Sequence, residues 1–228
     1  MTTCTQCGND FKSIGAHWAH PNTSCEYPEL TDEQKEVAAG CLMGDGWIRN
    51  TSDNNPCLVV ASITEEYLHE LDRVFGVMSC GVSEFMSAEE SAKSTRDSGL
   101  SPDADARDYS DVYKWRSRNS AEFDSFAEWY SNGEKYWPED LNLTPTVLKH
   151  WYCCDGTLVS EECISIGASN EFASQSKVES YFESSGLPKP RNWNKSNGSL
   201  VWNRTDSQVL FDYMGDPLPG FSYKWPKR

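Results

Sequence analysis

Two aspartates stand at the same place in two related stretches of the chain. The first stretch runs from Leu30-Thr31 through Ala38-Ala39-Gly40-Cys41-Leu42-Met43-Gly44-Asp45-Gly46 to Trp47-Ile48. The second runs from Leu143-Thr144-Pro145 through Leu148-Lys149-His150-Trp151-Tyr152-Cys153-Cys154-Asp155-Gly156 to Thr157-Leu158. A carboxylate is a hard oxygen ligand, and a pair of them brought together suits Mg²⁺ with several retained waters. Such an ion activates water for hydrolysis. A second set of reactive side chains opens the chain: Cys4-Thr5-Gln6-Cys7, then His17, His20 and Cys25. Tetrahedral Zn²⁺ takes four such soft or borderline ligands. Cys4, Cys7 and His17 supply three, and either Cys25 or His20 supplies the fourth.

The elements around the aspartates follow from local rules. In each stretch the Thr after Leu caps a helix N-terminus, and Pro145 occupies the favoured first helical position. Small or apolar residues mark one face, and an Asp-Gly pair stops the helix, Gly being suited to a helix C-terminus. A β-prone piece follows each copy. A lone Asp-Gly after an apolar helix is ordinarily a turn. Its repetition, with the same succession of elements behind it, marks both carboxylates as functional.

Residues 1–29 read as a zinc-finger-like module, with Gly8 at its turn and Phe11 as its small core. It has too few apolar residues to fold without metal. Residues 30–140 and 141–228 read as two halves of one α+β fold, each αββαββα. In the first half, strands are expected at Trp47–Asn50, Cys57–Ser62, Val77–Phe85 and Val112–Arg118. Helices are expected at Thr64–Phe75, stopped by Gly76, and at Ser120–Tyr130. Residues 87–110, rich in Ser, Asp and Glu, read as a mobile excursion, a long hairpin tip or a disordered insert. In the second half, strands are expected at Thr157–Val159 and Cys163–Ser169, then a helix at Phe172–Ser184. A hairpin of Lys189–Lys195 and Ser199–Arg204 turns about Asn197-Gly198, and a helix at Asp206–Met214 closes the half.

The two stretches, with their flanking elements, resemble the LAGLIDADG homing endonucleases. Residues 38–46 carry the nine-residue motif and residues 148–156 a divergent copy, with His150-Trp151 where that family prefers small residues. The resemblance implies that the motif helices pack along their small residues, with Ala38-Ala39-Gly40 allowing close approach. That packing brings Asp45 and Asp155 together over double-stranded DNA, where they hold Mg²⁺. It implies two pseudo-symmetric halves whose antiparallel sheets form a saddle on the DNA. The implied activity is a site-specific double-strand break by phosphodiester hydrolysis, and a monomeric single chain can read an asymmetric site. A basic residue late in each half then assists near each scissile phosphate, with Arg118 and Arg204 in roughly that place. Arg49, Lys114, Arg116, Lys189, Arg191 and Lys195 fall on expected strands or their tips and are the candidate DNA contacts. Lys114, Arg116 and Arg118 share one face of their strand. An appended finger extends the DNA contact.

Composition narrows the alternatives. The 228 residues carry 35 acidic and 20 basic side chains, a net charge of −15, where a nucleic-acid enzyme is expected to be basic. Acidic surfaces with few lysines also serve solubility in a high-salt host, and the basic residues concentrate on the expected strands, so a halophilic protein is the better reading. No apolar run is long enough to span a membrane. No signal segment opens the sequence, and nine cysteines without one point to a reduced cytoplasmic compartment. Some relatives of the resembled family are maturases or transcription regulators that have lost cleavage, and those often lose an acid. Nine tryptophans raise a carbohydrate binder, but they lie among motif helices and strands where core packing accounts for them. With no splicing module beside the motifs, a freestanding or intron-encoded protein is expected rather than an intein.

Overall fold

The computed structural model describes residues 1–51, 54–131, 133–168, 175–194 and 198–227. The chain opens with the antiparallel pair β1 (Thr2–Thr3) and β2 (Asp10–Phe11), followed by α1 (Ile14–Trp18). The first half contains α2 (Asp32–Met43), β3 (Gly46–Thr51), β4 (Asn54–Ser62), α3 (Glu65–Phe75), β5 (Ser79–Met86), α4 (Ala88–Asp97) and β6 (Val112–Ser117). Then come α5 (Asp124–Ala127), β7 (Tyr130–Ser131) and β8 (Glu134–Lys135). The second half contains α6 (Pro145–Asp155), β9 (Gly156–Val159), β10 (Cys163–Gly167), α7 (Gln175–Ser184), β11 (Asn192–Asn194), β12 (Ser199–Val201) and α8 (Arg204–Met214).

The halves repeat one topology. Strand order is β3-β4-β6-β5 in one sheet and β9-β10-β12-β11 in the other, antiparallel throughout. This is the expected pair of pseudo-symmetric α+β halves. The motif helices start as the sequence dictates. Thr31 forms a capping box with Gln34, Thr144 accepts from the Val147 N–H, and Pro145 sits in the first turn.

The two motif helices meet along their small residues. A Cβ placed on Gly40 would lie 2.6 Å from the Val147 carbonyl oxygen and 2.7 Å from His150 Cβ. One placed on Gly44 would lie 2.3 Å from Cys154 Cβ. The bulk of His150-Trp151 is thereby accommodated. His150 fills the space that Gly40 leaves open, and its Nδ1 lies 3.0 Å from the Tyr67 hydroxyl. Burial holds this imidazole neutral, near a pKa of about 3. Trp151 turns the other way, into the second half's core against Trp137 and Phe182. One continuous apolar core runs from both halves through this seam.

Some expectations are corrected. Residues 87–110 are a hairpin tip between β5 and β6, but an ordered one. Ser87 makes a capping box with Glu90, the Ala88 N–H donates to Asp111, and the Arg96 guanidinium donates to the Ala104 carbonyl. Ala92 is buried beneath. Local capping gives this polar segment a helix that its composition does not advertise. The expected helix at Ser120–Tyr130 is a 3₁₀ turn at Ala121–Phe123 and the single turn α5, after which Tyr130 enters β7. Phe123, Phe126 and Tyr130 still face the core. Arg204 lies on no strand; it is the first residue of α8, behind the Asn203 cap. Ser169, the first turn expected for the helix from Phe172, and the hairpin tip with Lys195 and Asn197 lie outside the described residues.

Candidate active site

Asp45, just past the Gly44 cap of α2, lies beside Asp155, the last residue of α6. Asp155 Oδ2 would lie 3.5 Å from a Cβ on Gly44, the residue before Asp45. Both carboxylates open to solvent. The surrounding helix ends nonetheless crowd them. Desolvation raises both carboxyl pKa values, and the Asp45 charge adds to the rise at Asp155, which sits at about 6. Lys135 and Lys224 oppose the rise at both.

These two lysines take equivalent places. Lys135 Nζ donates to the carbonyls of Leu42, Gly44 and Gly46 at 2.8, 3.1 and 2.9 Å, capping the C-terminus of α2 on either side of Asp45. Lys224 Nζ donates to the Cys153 carbonyl at 2.6 Å, at the end of α6. A cation is favoured at a helix C-terminus, where unpaired carbonyls gather. Burial lowers the Lys224 pKa, and the neighbouring thiols and both aspartates raise it in turn. Each half thus presents one carboxylate with one ammonium beside it.

Neither lysine was among the expected site residues, and each arrives on a segment outside the motif helices and the two large sheets. Lys135 is delivered by the β7–β8 hairpin, whose sequence signal is Asn132-Gly133. The helical spacing of the preceding aromatics overshadows that signal. Lys224 comes from the C-terminal tail, which crosses back to the first half. A Cβ on Gly220 would lie 2.2 Å from Thr64 Cγ2, and Phe221 packs on Tyr67 at 5.2 Å. Tyr152 donates to the Lys224 carbonyl at 2.7 Å, and the Trp225 indole to the Gly215 carbonyl at 2.9 Å. No periodic pattern marks such a strap in the sequence.

Arg118 and Arg204 have other partners. Arg118 Nε donates to the Val77 carbonyl at 2.8 Å, with its guanidinium beside Gly15 of the N-terminal module. Arg204 pairs with Glu162 at 2.7 Å. Arg49, Lys114 and Arg116 lie together on the face of the first sheet opposite the core, where Ile48, Leu58, Val60 and Trp115 are buried. With Trp47, Ser83 and Phe85 they line a hollow of about 340 Å³. Lys189 is paired with Glu183 at 2.5 Å. Arg191 is exposed at the edge of the second sheet.

In the N-terminal module the ligand atoms of Cys4, Cys7, His17 and Cys25 all lie within 4.8 Å of one another. Cys7 Sγ and His17 Nε2 are 3.7 Å apart, close to the edge of a zinc tetrahedron with bonds of about 2.0–2.3 Å. His20 stays outside the group, its Nδ1 accepting from the Asn22 N–H. Phe11 stacks on the His17 ring at 3.8 Å, which fixes its orientation. Desolvation would raise the Cys4 thiol, but the backbone N–H groups of Cys7 and Gln6 and the Trp18 and His17 side chains hold it down at about 6.

A profile of the LAGLIDADG DNA endonuclease family matches residues 35–183, which include both aspartate motifs. Among solved structures, the homing endonuclease I-WcaI bound to its DNA recognition sequence is similar in fold. Its TM-score is 0.73 at 15% identity, over 96% of this chain and 95% of that one. A variant of I-DmoI in complex with its nicked target DNA in the presence of Mn aligns at a TM-score of 0.46 and 13% identity, over 83% of this chain and 99% of that one. No curated protein matches the chain.

Proposed function

The chain belongs to the LAGLIDADG DNA endonuclease family, and from that premise we propose that it cuts both strands of a double-stranded DNA site as a monomer, with Asp45 and Asp155 as the metal-binding catalytic pair. The observation that carries this reading is the convergence of the two carboxylates at the ends of α2 and α6, each beside a lysine. The donor set suits a hard cation, since it offers solvent-facing carboxylate oxygen. A bound Mg²⁺ would neutralise the phosphate, activate water and stabilise the leaving 3′ oxygen. The chain's own part is to fix the carboxylates by the helix seam and to keep two ammonium groups near the phosphate oxygens on which negative charge builds. In this account Lys135 and Lys224 take the role first expected of Arg118 and Arg204. Arg118 instead braces the N-terminal module against the first sheet. The expected result for Lys224→Ala is cleavage slowed by about 10²-fold with duplex binding little changed, measured by single-turnover cutting beside gel shift. Equal rates would remove Lys224 from the site.

We assign the cluster of Cys4, Cys7, His17 and Cys25 as a structural zinc site, with Cys25 rather than His20 completing it. The module spans residues 1–29, and the halves 30–140 and 141–228. Metal supplies the folding energy of so small a module. Chelation is therefore expected to release about one Zn²⁺ per chain and to unfold the module, weakening DNA binding. Cys25→Ser should lose the metal and His20→Ala should keep it, as read by metal analysis of the purified proteins.

The net charge of −15 is read as adaptation to high salt, with Arg49, Lys114 and Arg116 gathered on the outward face of the first sheet. No helix among the described residues is long and apolar enough to cross a membrane.

A further inference from the structure

The two sheets are built alike, so their outward faces can be compared position by position. In the first sheet the cross-strand pairs Trp47↔Val59 and Val59↔Arg116 form one row, Ala61↔Lys114 and Lys114↔Ser83 a second, and Arg49↔Cys57 a third. In the second sheet the matching rows are Thr157↔Ser165↔Val201↔Asn192, then Gly167↔Ser199↔Asn194, then Val159↔Cys163. Arg49 follows Asp45 by the same interval that separates Val159 from Asp155. Register therefore equates Arg49 with Val159, Arg116 with Val201, and Lys114 with Ser199. Each cation of the first face meets an uncharged residue on the second. Ile164, Ile166 and Leu200 are buried on the opposite, core-facing side. Asn192 and Asn194 are exposed, while Trp193 between them packs on the core. Among the described residues, no charged side chain lies on this face of β9, β10, β11 or β12.

Resting on the DNA-cutting reading above, we infer that the two faces recognise chemically different half-sites. The first sheet reads guanine and anchors phosphate; the second reads A·T pairs without charge. Arginine presents a fork that matches the O6 and N7 edge of guanine, as Arg49 and Arg116 can on one face. Lys114 is a compact point charge suited to phosphate. An asparagine amide matches the N6 and N7 edge of adenine, which Asn192 offers, and an aliphatic side chain contacts the thymine methyl, which Val159 and Val201 offer. Of the two described strand faces, the first then carries the electrostatic part of binding, and with it their salt dependence.

The test is selection of cut and bound duplexes from a randomised library, with binding measured across salt concentration for the full chain and its variants. The expected target carries guanines in one half-site and A·T pairs in the other. Arg116→Ala relaxes one guanine position, with discrimination falling about tenfold or more. Lys114→Ala lowers the log–log salt slope by roughly 1 without changing sequence preference. Val201→Ala relaxes an A·T position and leaves the slope unchanged. Val201→Arg raises the slope and moves its position toward guanine. Circular dichroism of each variant confirms folding. Guanines required equally in both half-sites, or equal salt effects from both faces, would overturn the inference alone. Recovery of no duplex, bound or cut, would overturn the nuclease reading and the inference with it.

Discussion

Asp45→Asn and Asp155→Asn proteins are expected to bind their duplex and fail to cut it. Each substitution keeps the shape of the helix end and removes one of the two carboxylates proposed to hold the metal. Loss of cleavage should reach at least about 10³-fold, because charge neutralisation and water activation are lost together. Duplex affinity, carried by the sheets, should change little. The same variants report on the metal-free site. The folded pKa of Asp155, at about 6, stands above its ordinary 3.8, so the folded protein holds that proton more tightly than the unfolded chain. Stability of the metal-free protein therefore falls as pH rises from about 4 through 6. Solvent reaches both carboxylates, and screening holds the loss to about 1 kcal/mol. Above pH 6 the metal-free Asp155→Asn protein should melt higher than wild type, and below pH 4 the difference should vanish. Mg²⁺ competes with the same proton, so wild-type cleavage should rise with pH through that window. Cutting at the normal rate by Asp45→Asn would refute the catalytic assignment.

The second large effect is expected at the helix seam. In Gly40→Ala the new methyl would press on the Val147 carbonyl and on His150 Cβ, at 2.6 and 2.7 Å. One neighbour is backbone and the other is a buried ring held by Tyr67, so neither can swing aside. Overpacking of this kind costs about 1–3 kcal/mol. The helices can relieve it only by moving apart, and that also moves Asp45 from Asp155. A displacement of about 1 Å at reacting groups can cost about 10²-fold in rate. Gly40→Ala should thus lower both the melting temperature and the cleavage rate, and Gly44→Ala, against Cys154, should do so at least as strongly. A Gly40→Ala protein with unchanged melting and rate would show that the seam is not close-packed at this point.

The aspartate pair was legible in the sequence because it rests on repetition. Two capped helices end in Asp-Gly, and each feeds a strand pair of the same order. The topology followed for the same reason. The lysines beside the aspartates were hidden by competing signals. Phe123, Phe126, Ala127 and Tyr130 are spaced as on a helix, yet a 3₁₀ turn and one α-turn bury the aromatics equally well. The chain is then free to form the hairpin that carries Lys135. Lys224 sits in a tail whose course is set by contacts with Thr64, Tyr67 and Tyr152, distant in sequence. His150 looked too large for a helix seam because the gap that receives it is made by Gly40 on the other helix. The ordered tip after β5 depends on single capping contacts, which composition averages away.

A metal-dependent break at a defined DNA site is read out by incubating the 228-residue chain with a randomised duplex library in molar KCl and Mg²⁺ and sequencing the new ends. Ends from both strands should map to one recurring, asymmetric sequence, absent without Mg²⁺ and absent with Asp45→Asn. Duplexes retained on the protein but never cut would contradict such a break, and would mark a member of the family that kept the fold and lost the reaction.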